Sequence, residues 1–255
     1  MNPEVVSTWN GQLIALSYVI SFFGSLVALR AASLMRRADG SISRVNTVAA
    51  GLALGGIGVW SMHFIGMIAL KLDVASGYSL IETLVSLVAA VAAASLALAY
   101  VAKESGDLKR IAIAGTLLGL GVAVMHYLGM YGMRFGGYVA WNLGVVLVSV
   151  LIAIAAASAA LWLAFNTPTR GFRVMAALVM GVAVCTMHYT GMAAADYVCT
   201  VANRRAFPDG FGVISATQLP MLVTGLALGM ALLIFIDQVM QHLQGQDERA
   251  SSLAG

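Results

Sequence analysis

The sequence predicts an all-α, polytopic membrane protein with seven transmembrane helices and three internal two-helix repeats. Three observations carry that reading. Of 255 residues, 60% are apolar and 10% charged, against about 45–50% and about 25% in an ordinary soluble domain. Seven apolar runs reach the roughly 20 residues a helix needs to cross a bilayer, and one motif recurs three times at nearly constant spacing. Such scarcity of charge excludes an ordinary cytosolic enzyme and a disordered tail. With 14 Lys and Arg spread over the whole chain and 2 Cys, a basic face for nucleic acid and a disulfide-stapled secreted module are excluded as well.

The spans are expected at roughly 11–29, 46–70, 80–102, 111–131, 142–165, 173–197 and 219–240. The first stays as a helix because MNPEVVSTWN, which precedes it, lacks the Lys or Arg of a cleaved leader. The second, fourth and sixth carry the repeated motif. The third and fifth return between them, and Glu82 sits at the edge of the third. Asp196 and Asp237 lie just inside the sixth and seventh. No run has a central lysine, so a retinal Schiff base has no anchor.

Orientation follows from the basic residues. Arg30, Arg36, Arg37, Arg44, Lys103, Lys109, Arg110, Arg170, Arg173 and Arg249 share one side, ten in all, against Lys71, Arg134, Arg204 and Arg205 on the other. The bias predicts an outer N-terminus and a cytoplasmic C-terminus. Residues 1–240 then form the membrane domain and residues 241–255 a short cytoplasmic tail, read either as a solvated helix end or as the start of a connecting helix.

The repeat is explicit in GGIGVWSMHFIGM, LGLGVAVMHYLGM and MGVAVCTMHYTGM, with histidines at 63, 126 and 188. Each motif helix with its returning partner gives repeats centred on 46–102, 111–165 and 173–240. Six positions are identical in all copies: Gly56, Gly119 and Gly181; Val59, Val122 and Val184; Met62, Met125 and Met187; the three histidines; Gly66, Gly129 and Gly191; Met67, Met130 and Met192. At about 100° per residue these offsets occupy an arc of about 140°, a single helix face. The positions between them are expected to face lipid or pack loosely. The glycines should admit a neighbouring helix, and three such faces should converge on one axis.

An imidazole in a membrane belongs in the bundle interior with a partner. Here each of His63, His126 and His188 shares its face with thioethers, a soft neutral set that suits copper, above all Cu(I), better than zinc or the oxygen-seeking cations. The alternative is structural: Met fills core gaps and His makes interhelical hydrogen bonds. The motif lies about 10 Å below the outer surface, so a ligand would enter from outside. Asp196 reads as an interfacial residue. Cys185 and Cys199 are about 21 Å apart on a continuous helix, too far to share a disulfide or metal.

At these residues the chain resembles the MHYT-domain integral membrane sensors of bacteria: the third copy reads Met187, His188, Tyr189, Thr190, and the others read MHFI and MHYL. The resemblance implies a seven-helix domain of the cytoplasmic (inner) membrane. Its Met and His residues near the outer face are proposed to bind copper and sense a diatomic gas: oxygen, carbon monoxide or nitric oxide. Carried to this sequence, the ligands are Met62, His63, Met67, Met125, His126, Met130, Met187, His188 and Met192. The implied output is a diguanylate cyclase, a phosphodiesterase or a histidine kinase in the cytoplasm, and the tail is too short to contain one. Competing readings are a copper or proton transporter using the Met/His face as a pathway, and a b-type haem protein. Without paired carboxylates, an activated nucleophile or a phosphate-binding Gly loop, no enzyme is expected.

Overall fold

The computed structural model describes residues 5–37, 39–166, 169–208 and 210–254, with side chains described as far as Gln244. Seven helices are long and apolar enough to cross a membrane. They are α1 (Gly11–Ala32), α2 (Arg44–Ala69), α3 (Leu80–Ala102), α4 (Leu108–Tyr131), α5 (Leu143–Phe165) and α6 (Arg170–Met192), with α7 (Leu219–Ala254) running on well past the apolar stretch. Their starts are set by side-chain caps at the orphan N–H groups of the first turn. Asn10, Ser43, Asp107, Asn142 and Thr169 cap α1, α2, α4, α5 and α6 in this way.

Helices α1 to α6 form a closed ring: each motif helix packs against the helices on either side of it, and α6 closes the ring on α1. The motif helices α2, α4 and α6 meet at the centre. Helix α7 stands outside the ring, packed on α2. That asymmetry corrects one expectation. Between motif positions, α4 and α6 do present Leu117, Val124, Val179 and Val182 at 54–64% exposure, as lipid-facing residues should. The α2 window instead is 83% buried, because α7 lies over it. Met230 rests against Gly56, and Asn46 and Gln241 exchange hydrogen bonds of 3.3 and 3.1 Å.

Short strands, absent from the sequence prediction, cap the end that carries the motifs. Strand β1 (Ser7–Trp9) pairs with β2 (Leu70–Leu72), β3 (Ser76–Ser79) with β4 (Met133–Phe135), and β5 (Gly137–Trp141) with β6 (Ala195–Cys199), while β7 (Val213–Ser215) adds to β3. All pairs are antiparallel. The strand after each motif helix thus pairs with the strand before the preceding helix, stitching α1 to α2, α3 to α4 and α5 to α6. Arg204 pairs with Asp73 at 2.5 Å across this cap, and Arg134 with Glu82 at 2.5 Å, where Glu82 also accepts from Ser79.

Two sequence expectations about α6 change here. The sixth helix ends at Met192 rather than 197, and Asp196 stands on β6, exposed and paired with Ala140. It is no part of the helix face that holds His188. Cys199 lies on the same strand, so the helix between the cysteines is broken, and both thiols are free.

Helix α2 differs from its counterparts in its backbone. Leu52–Ser61 is a π-helix, wider than an α-helix and a recurrent feature of functional sites. Its presence shifts the packing register by one residue. Gly119 of α4 lies against Ala153 and Ile154 of α5, and Gly115 against Ser158. The equivalent residues of α3, 63 positions earlier, are Ala90, Val91 and Ser95. They are met by Gly55 and Gly51, whereas the same spacing applied to Gly119 and Gly115 would bring Gly56 and Leu52 there. The extra residue is absorbed by the π segment before His63. The identical Gly56 therefore matches its partners in letter only, and Gly55 does the close packing.

Candidate metal centre

The three histidines meet on the axis of the ring. Each is 1% exposed, and each turns Nδ1 inward. The Nδ1 atoms of His63 and His188 are 3.1 Å apart, those of His126 and His63 3.1 Å, and those of His188 and His126 3.3 Å. This convergence, predicted from the shared helix face, is the central feature of the site.

The far side of each ring explains the motif glycines. A Cβ on Gly129 would collide with Nε2 of His63, one on Gly191 with Nε2 of His126, and one on Gly66 with Nε2 of His188. The glycine three residues after each histidine thus admits the imidazole of another motif helix, in a cyclic order. Its role is finer than the helix approach expected from sequence. Behind each histidine stands the next residue of the motif, edge-on: Phe64 at 4.7 Å, Tyr127 at 4.8 Å and Tyr189 at 4.7 Å between ring centroids. The tyrosine hydroxyls are fixed by serines of the flanking helices, Tyr127 with Ser149 at 2.6 Å and Tyr189 with Ser17 at 2.9 Å. Sequence reasoning missed both serines, since a single Ser in an apolar run carries no periodic signal.

Does this arrangement fit a metal? A neutral imidazole has one lone pair and one N–H. Three Nδ1 atoms at mutual contact cannot satisfy one another: lone pairs facing inward repel, and three inward N–H groups collide. A cation at the centre would accept all three lone pairs and leave the protons on Nε2. For metal–nitrogen bonds of about 2.0–2.1 Å in tetrahedral to trigonal geometry, donors lie about 3.3–3.6 Å apart. The observed edges fall within a few tenths of an ångström of that. These three are also the group of His, Cys, Asp and Glu side chains among the described residues that is placed to hold an ion.

The same geometry does not fit haem. Axial ligands approach a porphyrin from opposite faces, whereas these rings converge on one point with centroids 4.9, 5.0 and 5.2 Å apart, leaving no slot between them.

The six motif methionines are all buried, at 1–3% exposure. Met67, Met130 and Met192 stand one turn beyond their histidines on the same face. Met62, Met125 and Met187 precede them, and Met187 also lines an apolar cavity of about 40 Å³ on the side of the histidines away from the strands. That cavity is walled by Val59, Val122 and Val184 from the motif and, deeper, by Leu54, Leu118 and Met180. Beneath the strand cap, a hollow of about 310 Å³ is bordered by Met130, Arg134, Tyr138 and Trp141.

Comparison with known proteins agrees with the motif. Residues 56–114 and 119–177 each match the repeat described as MHYT, bacterial signalling protein N-terminal repeat. The chain is 34% identical over 238 residues to the bifunctional diguanylate cyclase/cyclic di-GMP phosphodiesterase MucR of Pseudomonas aeruginosa, covering 90% of this chain and 34% of that protein. It is 28% identical to the signaling protein YkoW of Bacillus subtilis, over 76% of this chain and 25% of the relative. With the cyclic di-GMP phosphodiesterase NbdA of Pseudomonas aeruginosa it shares 33% identity, over 73% of the chain and 24% of the relative. The chain spans about a quarter to a third of the length of these relatives. No solved structure matches it. A threefold Met-His motif, seven membrane-spanning helices and these matches together place the chain in the MHYT family of bacterial membrane signalling proteins.

Proposed function

We propose that the chain is a sensor that holds copper on His63, His126 and His188 and responds to a diatomic gas or to redox state. The observation that carries this reading is the buried triangle of three Nδ1 atoms, 3.1–3.3 Å on an edge. Its surroundings favour copper. A divalent ion in this apolar interior would leave two charges without a carboxylate to offset them, and uncompensated buried charge is costly. Cu(I) brings one charge and suits imidazole with thioether. Met62, Met67, Met125, Met130, Met187 and Met192 supply the thioethers around the histidines. Bound copper would bring a one-electron couple and affinity for small neutral gases.

The apolar cavity of about 40 Å³ that reaches Met187, the residue before His188, supports the gas reading. Water needs polar partners to stay in such a space; an apolar diatomic molecule does not. The lining of this cavity holds two thioethers, Met180 and Met187, among Val, Leu, Ala and Gly, and no side chain that relays a proton, which weighs against a proton pathway. By the bias of ten basic residues against four, the strand cap and the hollow beside Met130 face outward. Helix α7, continuous to Ala254, carries the signal to a cytoplasmic output partner. The names of the relatives point to a diguanylate cyclase or phosphodiesterase as the class of that partner. The test is metal analysis of purified protein beside a variant with His63, His126 and His188 all changed to Ala. Copper in the first and none in the second is the expected result; equal, near-zero copper in both overturns the metal.

A further inference from the structure

We propose that Arg30, Arg170 and Arg173 form a binding site for the phosphate of an anionic phospholipid, between α1 and α6 at the end opposite the strands. The three arginines line one pocket of about 320 Å³ together with Leu26 and Val174. Arg30 lies in the last turn of α1 and Arg170 is the first residue of α6, so the pocket sits where a membrane-spanning pair of helices leaves the hydrocarbon. That is the depth of lipid phosphates.

Two features of this cluster point to an anion. First, the three guanidinium groups share one pocket, and none of them has an ion pair among the described residues. Other arginines of the chain do: Arg110 reaches Glu104 at 2.7 Å and Arg134 reaches Glu82. Second, Nε of Arg173 is buried with no hydrogen-bond partner. A guanidinium N–H without an acceptor is costly to bury, and three forks around one hollow match the oxygens of a phosphate, which accepts bidentate pairs from arginine. Basic pockets between membrane helices hold anionic headgroups in this manner. Leu26 and Val174 supply an apolar wall on which a glycerol backbone and the start of an acyl chain can lie, a surface that free phosphate does not use.

Retention of added lipid on the full chain, purified in detergent and read by native mass spectrometry, tests the site. Phosphatidylglycerol is compared with phosphatidylcholine, with inorganic phosphate as competitor. The variants are R30Q/R170Q/R173Q and, as a control for surface charge on the same side, R36Q/R37Q. Phosphatidylglycerol is expected to stay bound to the parent and to R36Q/R37Q. Loss of each arginine should weaken it about fivefold, on the order of a hundredfold for all three, with phosphatidylcholine retained by none. Equal retention by the parent and R30Q/R170Q/R173Q, or equal loss in R36Q/R37Q, overturns the site. Displacement of the lipid by millimolar inorganic phosphate overturns the lipid as its ligand.

Discussion

Replacing Gly55 by Ala should damage the bundle, while replacing the neighbouring Gly56 should not. A Cβ at Gly55 would lie 2.7 Å from the carbonyl carbon of Ala90 and 2.9 Å from Cα of Val91. Both are backbone atoms of α3, so relief requires moving one whole helix from another. Overpacking of this kind costs about 1–3 kcal/mol, and the gain in helix propensity from Gly to Ala returns only about 0.5–1 kcal/mol. At Gly56 the nearest atoms belong to the end of the Met230 side chain, with Cε at 3.0 Å, and then Val91 Cγ2 at 3.5 Å. Met has three rotatable bonds and repacks readily, so G56A should come out near neutral, within about 0.5 kcal/mol. The two variants carry the same added methyl group at adjacent positions, so their composition and charge are identical. Thermal unfolding in detergent, followed by tryptophan fluorescence, should put G55A several degrees below G56A. A larger loss in G56A would refute the π-helical register shift, since constant repeat spacing makes Gly56 the packing residue.

Other consequences are equally direct. G129A should displace the His63 ring and lower copper content at least tenfold, with the protein still folded when checked by gel filtration; unchanged copper would remove the glycine from the site. Changing Met67, Met130 and Met192 together to Leu keeps volume nearly constant at each position, so each swap should cost less than about 1.5 kcal/mol while copper affinity falls; an unaltered affinity would restrict the ligand set to the imidazoles. Trp60 donates Nε1–H to the Thr83 carbonyl at 3.1 Å and to Ser86 Oγ at 3.0 Å in a buried site, so W60F should cost about 1–3 kcal/mol in thermal unfolding followed by circular dichroism, and a loss below about 0.5 kcal/mol, the level of a surface substitution, would count against that bond.

The histidine triangle was legible in the sequence because a helix converts fixed spacing into a shared face: 63, 126 and 188 with their glycines and methionines could only point one way. Other features leave no such trace. Ala195–Cys199 reads ADYVC, and its apolar residues prolong the sixth run, although the chain has already left the helix at Met192 to pair with β5. Strands of three to five residues are too short for alternation to show. The tandem Gly55 and Gly56 hide the extra residue of α2, since either can be aligned to Gly119. The burial of α2 under α7 has no counterpart in the other copies, so the repeat could not announce it.

The closed ring also sets an order of assembly. Helix α1 finds its second neighbour only when α6 arrives, and the imidazole at position 188 completes a cluster whose other members lie 125 and 62 residues earlier. A chain emerging from the ribosome therefore carries two unmatched histidines and an open seam until its third repeat is inserted. Completion of the cluster reports that the whole barrel of helices has closed, so a truncated or misinserted chain is unable to bring the three imidazoles together.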